Sequence, residues 1–167
     1  MSVYQFPSVQ LEAEPVITLG GLYPDPKRLP KWKRGLYLPQ VYFFHYRDVQ
    51  LSPHFNLKEF SAKDHEKWVF VHPLLVTKLE FLRSRLERPI WITPRGGYRG
   101  PGPGGVNDRA GGAPFSMHQY GKAADIVVTG MTPKEVARAA EGLFDGIGRY
   151  KTFTHVDVRG YKARWIK

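Results

Sequence analysis

The sequence predicts an α+β domain, a small antiparallel sheet flanked by helices, and three features carry that prediction. One segment repeats leucines at helical spacing and ends at a proline. A second opens with a capping box. Around them lie short apolar or alternating runs of strand length, in the order helix, strand, loop, strand, helix, strand, strand, with no internal repeat.

Taken in order, Leu75, Leu79, Leu82 and Leu86 recur at three- and four-residue steps, and Pro89 stops the run, so residues 73–87 read as an amphipathic helix. Pro89 to Thr93 follows as a short strand with β-branched and aromatic residues. Residues 94–117 hold eight glycines and four prolines, a loop of a length that in a compact domain is either functional or disordered. Ala123 to Val128 reads as a buried strand. Thr132-Pro133-Lys134-Glu135 is a capping box with proline at the first helical position, so a second helix runs from about 133 to 144. Gly146 to Tyr150 and Phe153 to Arg159 read as two further strands.

Before these elements the chain has a different character. Residues 1–54 are rich in proline, glycine, tyrosine and basic residues without a sustained period and read as an irregular arm ahead of a domain at 55–167. Within the arm, Val41 to Tyr46 could form an edge strand, and Lys27, Arg28, Lys31, Lys33 and Arg34 form a basic cluster that reads as a solvated run of charge.

Composition narrows the chemistry. With 167 residues, 42% of them hydrophobic, the chain suits one compact domain and its own core. It has no cysteine, so a metal site must use nitrogen and oxygen, from the six histidines and the carboxylates. The formal net charge of +10 favours a polyanionic partner, whether nucleic acid, an anionic membrane or an acidic wall polymer, and charge alone does not choose among them. No nucleic-acid-binding motif accompanies that charge, so no nucleic acid is expected. No apolar run reaches transmembrane length and no signal peptide is visible at the N-terminus, so membrane insertion is not expected. A monomer is expected.

His118 at the end of the long loop, Asp125 entering one strand and His155 inside another offer two imidazoles and a carboxylate, a set suited to catalytic Zn²⁺ with a fourth position for water. Gly121 lies between the first two, where a tight turn can return the loop histidine over the start of the strand. On the last strand, period two puts His155, Asp157 and Arg159 on one face and Thr154, Val156 and Val158 on the other. Asp157 is therefore either a proton acceptor beside the metal or a group that orients a ligand histidine. Arg99, Ser116, Gln119 and Tyr150 are candidate substrate contacts. Ser116 and Asn107 could equally brace the loop, and Tyr150 and Tyr120 could equally be packing groups. His45, His54, His65 and His72 read as surface or cap residues, and Trp32, Trp68, Trp91 and Trp165 as core or arm-anchoring residues.

The segments SMHQYGKAAD and FTHVDVRG, preceded by FNLKEFS, WITPRGGYRG and Asn107, closely resemble the zinc D-Ala-D-Ala carboxypeptidases and related murein endopeptidases of the Hedgehog-type fold. The resemblance covers roughly residues 55–167. It implies that His118, Asp125 and His155 are the zinc ligands and that Arg99 binds a carboxylate or carbonyl of the substrate. The implied substrate is a stem or cross-link peptide of peptidoglycan, with D-residues around the cleaved bond, met outside the cytoplasm in periplasm or wall or delivered by a phage. One departure stands out: where better-known members carry an acidic base three residues before the last zinc histidine, this chain has Thr152. That departure gives weight to a rival reading, a zinc-fold protein that binds or scaffolds without catalysis.

Overall fold

The fold is taken from a computed structural model and is described for residues 42–45, 50–62, 68–100 and 104–167. Most of the arm, including the basic cluster at 27–34 and Trp32, lies outside them, as does His65. The edge strand expected within 41–46 forms as β1 (Tyr42–His45), antiparallel to β2 (Trp68–Val71) with Tyr42 opposite Val71. The sequence reading had no strand at β2. Four apolar residues running straight into a helix carry no period of their own.

Helix α1 (Pro73–Leu86) starts where expected. His72 caps it, its Nδ1 accepting from the Leu74 amide at 3.2 Å, and Pro73 occupies the first turn, where no amide is needed. Leu75, Val76, Leu79 and Leu82 form its buried face. After β3 (Ile90–Ile92), the long loop contains one helical turn, α2 (Val106–Arg109). Strand β4 (Ala123–Val128) has the predicted bounds. Helix α3 (Pro133–Ala140) opens on the predicted capping box, with Glu135 accepting from the Thr132 amide at 2.8 Å. It stops four residues short of the expected end, because Glu141 leaves helical geometry and Gly142 turns with φ 77°. Phe144 then folds back into the core.

Strands β5 (Gly146–Arg149) and β6 (Thr154–Asp157) follow, and β7 (Ala163–Ile166) closes the sheet. The strand order is β3-β4-β6-β5-β7. All pairings are antiparallel except the last, in which β7 runs parallel to β5. The expected antiparallel sheet is thus mixed at one edge, and β7 was not anticipated because a basic, four-residue ARWI run has no apolar alternation.

The two faces of the sheet differ. Ile90, Ala124, Ile126, Val128, Ile147 and Val156 join the α1 and α3 residues and Phe55, Leu57 and Phe60 in one core. The opposite face of β4 and β6 carries Asp125, His155 and Asp157. Trp91 does not join the core: it is 60% exposed on edge strand β3, its indole N–H donating to Thr129 Oγ1 at 3.2 Å.

Candidate metal centre

The β4–β6 register sets Asp125 directly across from His155. His118 joins them from a 3-10 turn (Met117–Tyr120), which Gly121 ends at φ 62° before the chain enters β4. A side chain would strain that left-handed turn, so the predicted use of this glycine is realised. The three side chains meet closely. His118 Nε2 lies 3.1 Å from His155 Nδ1, and Asp125 Oδ1 lies 2.9 Å from His155 Nδ1 and 3.3 Å from His118 Nε2. All three residues are buried.

The far side of each donor is held. His118 Nδ1 is 2.7 Å from the Gly97 carbonyl oxygen, which can only accept, so that nitrogen carries the proton and Nε2 keeps its lone pair. His155 Nε2 is 2.9 Å from Asp157 Oδ2, which likewise assigns the proton to Nε2 and leaves Nδ1 bare. Arg99 Nη2 donates to Asp125 Oδ2, leaving Oδ1 turned inward. Two bare nitrogens and a carboxylate oxygen converging within 4.8 Å repel one another unless a cation lies among them. The donor set fits Zn²⁺, and its orienting partners are those that metal-bound histidines require.

The electrostatics agree. Burial pushes the Asp125 carboxyl up, but His118 and His155 beside it outweigh burial and hold it far below the usual carboxylate range. Burial lowers His118, and the Asp125 carboxylate offsets this only in part. Burial would also lower His155, yet hydrogen bonds to Asp125 and Asp157 raise it overall.

Asp157 is wholly buried behind His155. Arg159 donates to it through Nε at 2.8 Å and through Nη2 as well. Its carboxyl is held down to about 2: burial opposes this, but bonds from His155 and Arg159 prevail. Glycines on β5 make the room, since Gly146 pairs with Asp157 and Gly148 with His155. A Cβ on Gly146 would lie 2.1 Å from Asp157 Oδ2, and one on Gly148 would lie 2.3 Å from the indole of Trp165.

The cluster forms the floor of a cleft of about 540 Å³. Its walls include Arg99, Ser116, Tyr150, Phe153, Arg159, Tyr161 and Trp165, so three of the candidate substrate contacts, Arg99, Ser116 and Tyr150, line it. Gln119 does not. Gln119 is 4% exposed, and its amide donates to the Ala113 and Pro114 carbonyls at 3.2 and 3.0 Å, so it braces the loop. Asn107 braces the same carbonyl of Ala113 at 3.1 Å. Thr152 is exposed and lines no part of the cleft, where Asp125 is the one carboxylate among the described residues. Among the other histidines, His72 caps α1 and His54 pairs with Glu80 at 2.8 Å on the surface. Trp165, Arg159, Gly146 and Gly148 were not read as site residues. An unclaimed signal existed, the Gly-x-Gly strand just ahead of His-x-Asp.

This metal-suited centre lies in a chain whose residues 53–157 match the peptidase M15 family. The chain belongs to that family, the zinc D-Ala-D-Ala carboxypeptidase-like metallopeptidases, so the resemblance read from the motifs holds. No curated protein and no solved structure matches the chain. No helix among the described residues is long and apolar enough to cross a membrane.

Proposed function

We propose that the chain is a zinc-dependent peptidoglycan peptidase that hydrolyses an amide bond next to D-amino acids in stem or cross-link peptides. The observation that carries the reading is the convergence of His118 Nε2, Asp125 Oδ1 and His155 Nδ1 at the floor of an open cleft, each with its far side pinned. A bound Zn²⁺ would polarise the scissile carbonyl and bring its water to a pKa of about 7.

The chain's own residues supply the rest. Arg99 spends Nη2 on Asp125 and Nε on the Arg95 carbonyl at 2.7 Å, while Nη1 has no partner among the described residues and lies available to a substrate carboxylate or carbonyl. Asp157 acts by orienting: it fixes the proton on His155 Nε2 and keeps the Nδ1 lone pair free for a metal, and its burial separates it from anything in the cleft. Ser116, at the cleft wall, contacts the peptide backbone. On this reading the protein would act outside the cytoplasm or be delivered by a phage, and the net charge of +10 suits an acidic wall polymer.

The rival reading, binding without hydrolysis, draws on the exposed Thr152 and on the absence of a second cleft carboxylate among the described residues. One experiment separates them. Purified peptidoglycan is incubated with the zinc-loaded protein, with and without a chelator, and the muropeptides are weighed by mass spectrometry. Chelator-sensitive release of D-alanine marks a carboxypeptidase and loss of cross-linked dimers an endopeptidase. Unchanged muropeptides refute hydrolysis.

A further inference from the structure

We propose that Tyr150 is a substrate-contacting hydrogen-bond donor and that Trp165 is the positioning residue that aims it. The proposal rests on the peptidase reading and assigns a substrate oxygen to the side of the site away from Arg99. Sheet order supplies the sides. Arg99 and Asp125 lie toward β4, whereas Tyr150 directly follows β5 and Trp165 is on β7, with His155 of β6 between them.

Three hydroxyls reach the cleft among the described residues, those of Ser116, Tyr150 and Tyr161. The Tyr161 hydroxyl is engaged with Arg159. Tyr150 is held differently. The Trp165 indole N–H can only donate, and it lies 3.3 Å from the Tyr150 oxygen, so the phenol is the acceptor in that bond. The phenol's own O–H then has no acceptor among the described residues and is free to donate into the cleft. Its ring is fixed by stacking on Phe153, with centroids 4.4 Å apart and planes at 14°.

Trp165 is itself built in. Its indole lies against the backbone of Gly148, where a Cβ would come within 2.3 Å, and its ring centroid is 5.0 Å from that of His155. The Arg159 guanidinium packs over its face at 5.1 Å. An O–H fixed on both its ring and its oxygen, one indole away from a candidate metal ligand, is a preorganised donor of the kind that stabilises charge developing on oxygen. The ligand it fits is an acceptor oxygen without a proton, an amide carbonyl or a carboxylate. Tyr150 and Phe153 lie within the matched residues 53–157, whereas Trp165, which aims the phenol, lies beyond them.

The test uses the zinc-loaded full chain as wild type, Tyr150→Phe, Trp165→Phe and the double variant. Two readouts are taken: kcat/KM on a defined muropeptide, and calorimetric affinity for a phosphinate dipeptide, whose charged oxygens imitate the tetrahedral state. Zinc content and thermal midpoint are followed alongside. Tyr150→Phe keeps the stacked ring and removes only the donor, so zinc stays at wild-type content while kcat/KM and phosphinate affinity fall about 10- to 100-fold. Trp165→Phe removes the aiming N–H and costs about 2- to 10-fold. The double variant is no worse than Tyr150→Phe alone, because the indole acts through the phenol.

Wild-type affinity in Tyr150→Phe overturns the contact, and losses that multiply in the double variant overturn the positioning role. A wild-type protein that binds the phosphinate but leaves muropeptides intact defeats the peptidoglycan reading, while the same titrations still decide the Tyr150 contact. Failure of the wild type to bind the phosphinate overturns both.

Discussion

Replacing Asp157 with asparagine should weaken zinc binding about 10- to 100-fold and leave turnover at saturating zinc near the wild-type value. The carboxylate accepts from His155 Nε2 at 2.9 Å on one oxygen and from Arg159 Nε at 2.8 Å on the other. An amide offers only one acceptor. With its oxygen toward His155, its NH₂ meets the Arg159 guanidinium donor to donor. With its NH₂ toward His155, the ring must accept at Nε2, so its proton moves to Nδ1 and closes the atom that faces the metal position. The affinity loss corresponds to roughly 1.4 to 2.8 kcal/mol. Part of the guanidinium's lost pairing is recovered from water, since the Arg159 side chain is 16% exposed. The assay is a zinc titration against a chromophoric chelator, with turnover measured over the same zinc range. Gly146→Ala should reproduce the defect, because its Cβ would lie 2.1 Å from Asp157 Oδ2 and force the carboxylate off His155. Wild-type zinc affinity combined with a turnover loss of about 10² to 10⁴ in Asp157→Asn would refute the orienting role and make Asp157 the proton acceptor.

Three further outcomes are expected. The purified protein should take up one Zn²⁺ per chain, and His118→Ala should lose most of that affinity and all activity, as read by elemental analysis and muropeptide digestion; a metal retained by the variant would place the site elsewhere. Arg99→Lys should not rescue Arg99→Ala on a carboxylate-bearing peptide, because an ammonium cannot serve the Arg95 carbonyl, Asp125 and substrate in one planar fork; equal kcat/KM for Arg99→Lys and wild type would contradict this. In the metal-free protein, Asp157 has a folded pKa depressed to about 2, so its stabilisation is fully present above about pH 4 and is lost as pH falls through about 2. Denaturant unfolding between those limits should show a loss of about 2 kcal/mol that Asp157→Asn lacks, and identical acid profiles would count against it.

Much of this site is legible in the sequence because it is written in strands and turns. Period two on FTHVDVR places His155 and Asp157 on one face, and the glycine at 121 marks the turn that returns His118 to Asp125. Both are local signals. What escaped is the product of pairing between segments. Nothing within Gly146-Ile147-Gly148 shows that its bare positions lie opposite His155 and Asp157, and nothing in ARWI shows that its tryptophan crosses β5 toward His155. Gln119 was misplaced for the opposite reason. It neighbours a ligand histidine in sequence, but the 3-10 turn directs its amide to the Ala113 and Pro114 carbonyls. The β2 and β7 strands were missed because four residues are too few to show a period.

The same alternation that builds the core also fixes the metal centre. On β6, Thr154 and Val156 face the helices while His155 and, buried behind it, Asp157 lie on the opposite face with the metal centre, and on β4, Ala124, Ile126 and Val128 face the helices around Asp125. A one-residue slip of β6 would turn its side chains over, bringing His155 and Asp157 into the core and Val156 out of it. Exposing a fully buried valine costs about 1.5 to 3 kcal/mol, and burying an unpaired carboxylate costs more. The register that sets His155 across from Asp125 is therefore enforced by apolar residues that never touch the site. It follows that a core substitution such as Leu79→Ala, at a position wholly buried under the sheet, should lower stability by about 2 to 5 kcal/mol without altering zinc stoichiometry in the folded fraction. A zinc content that fell in proportion to stability, in protein shown to be folded, would mean that the site depends on the packing of α1 and not on strand register alone.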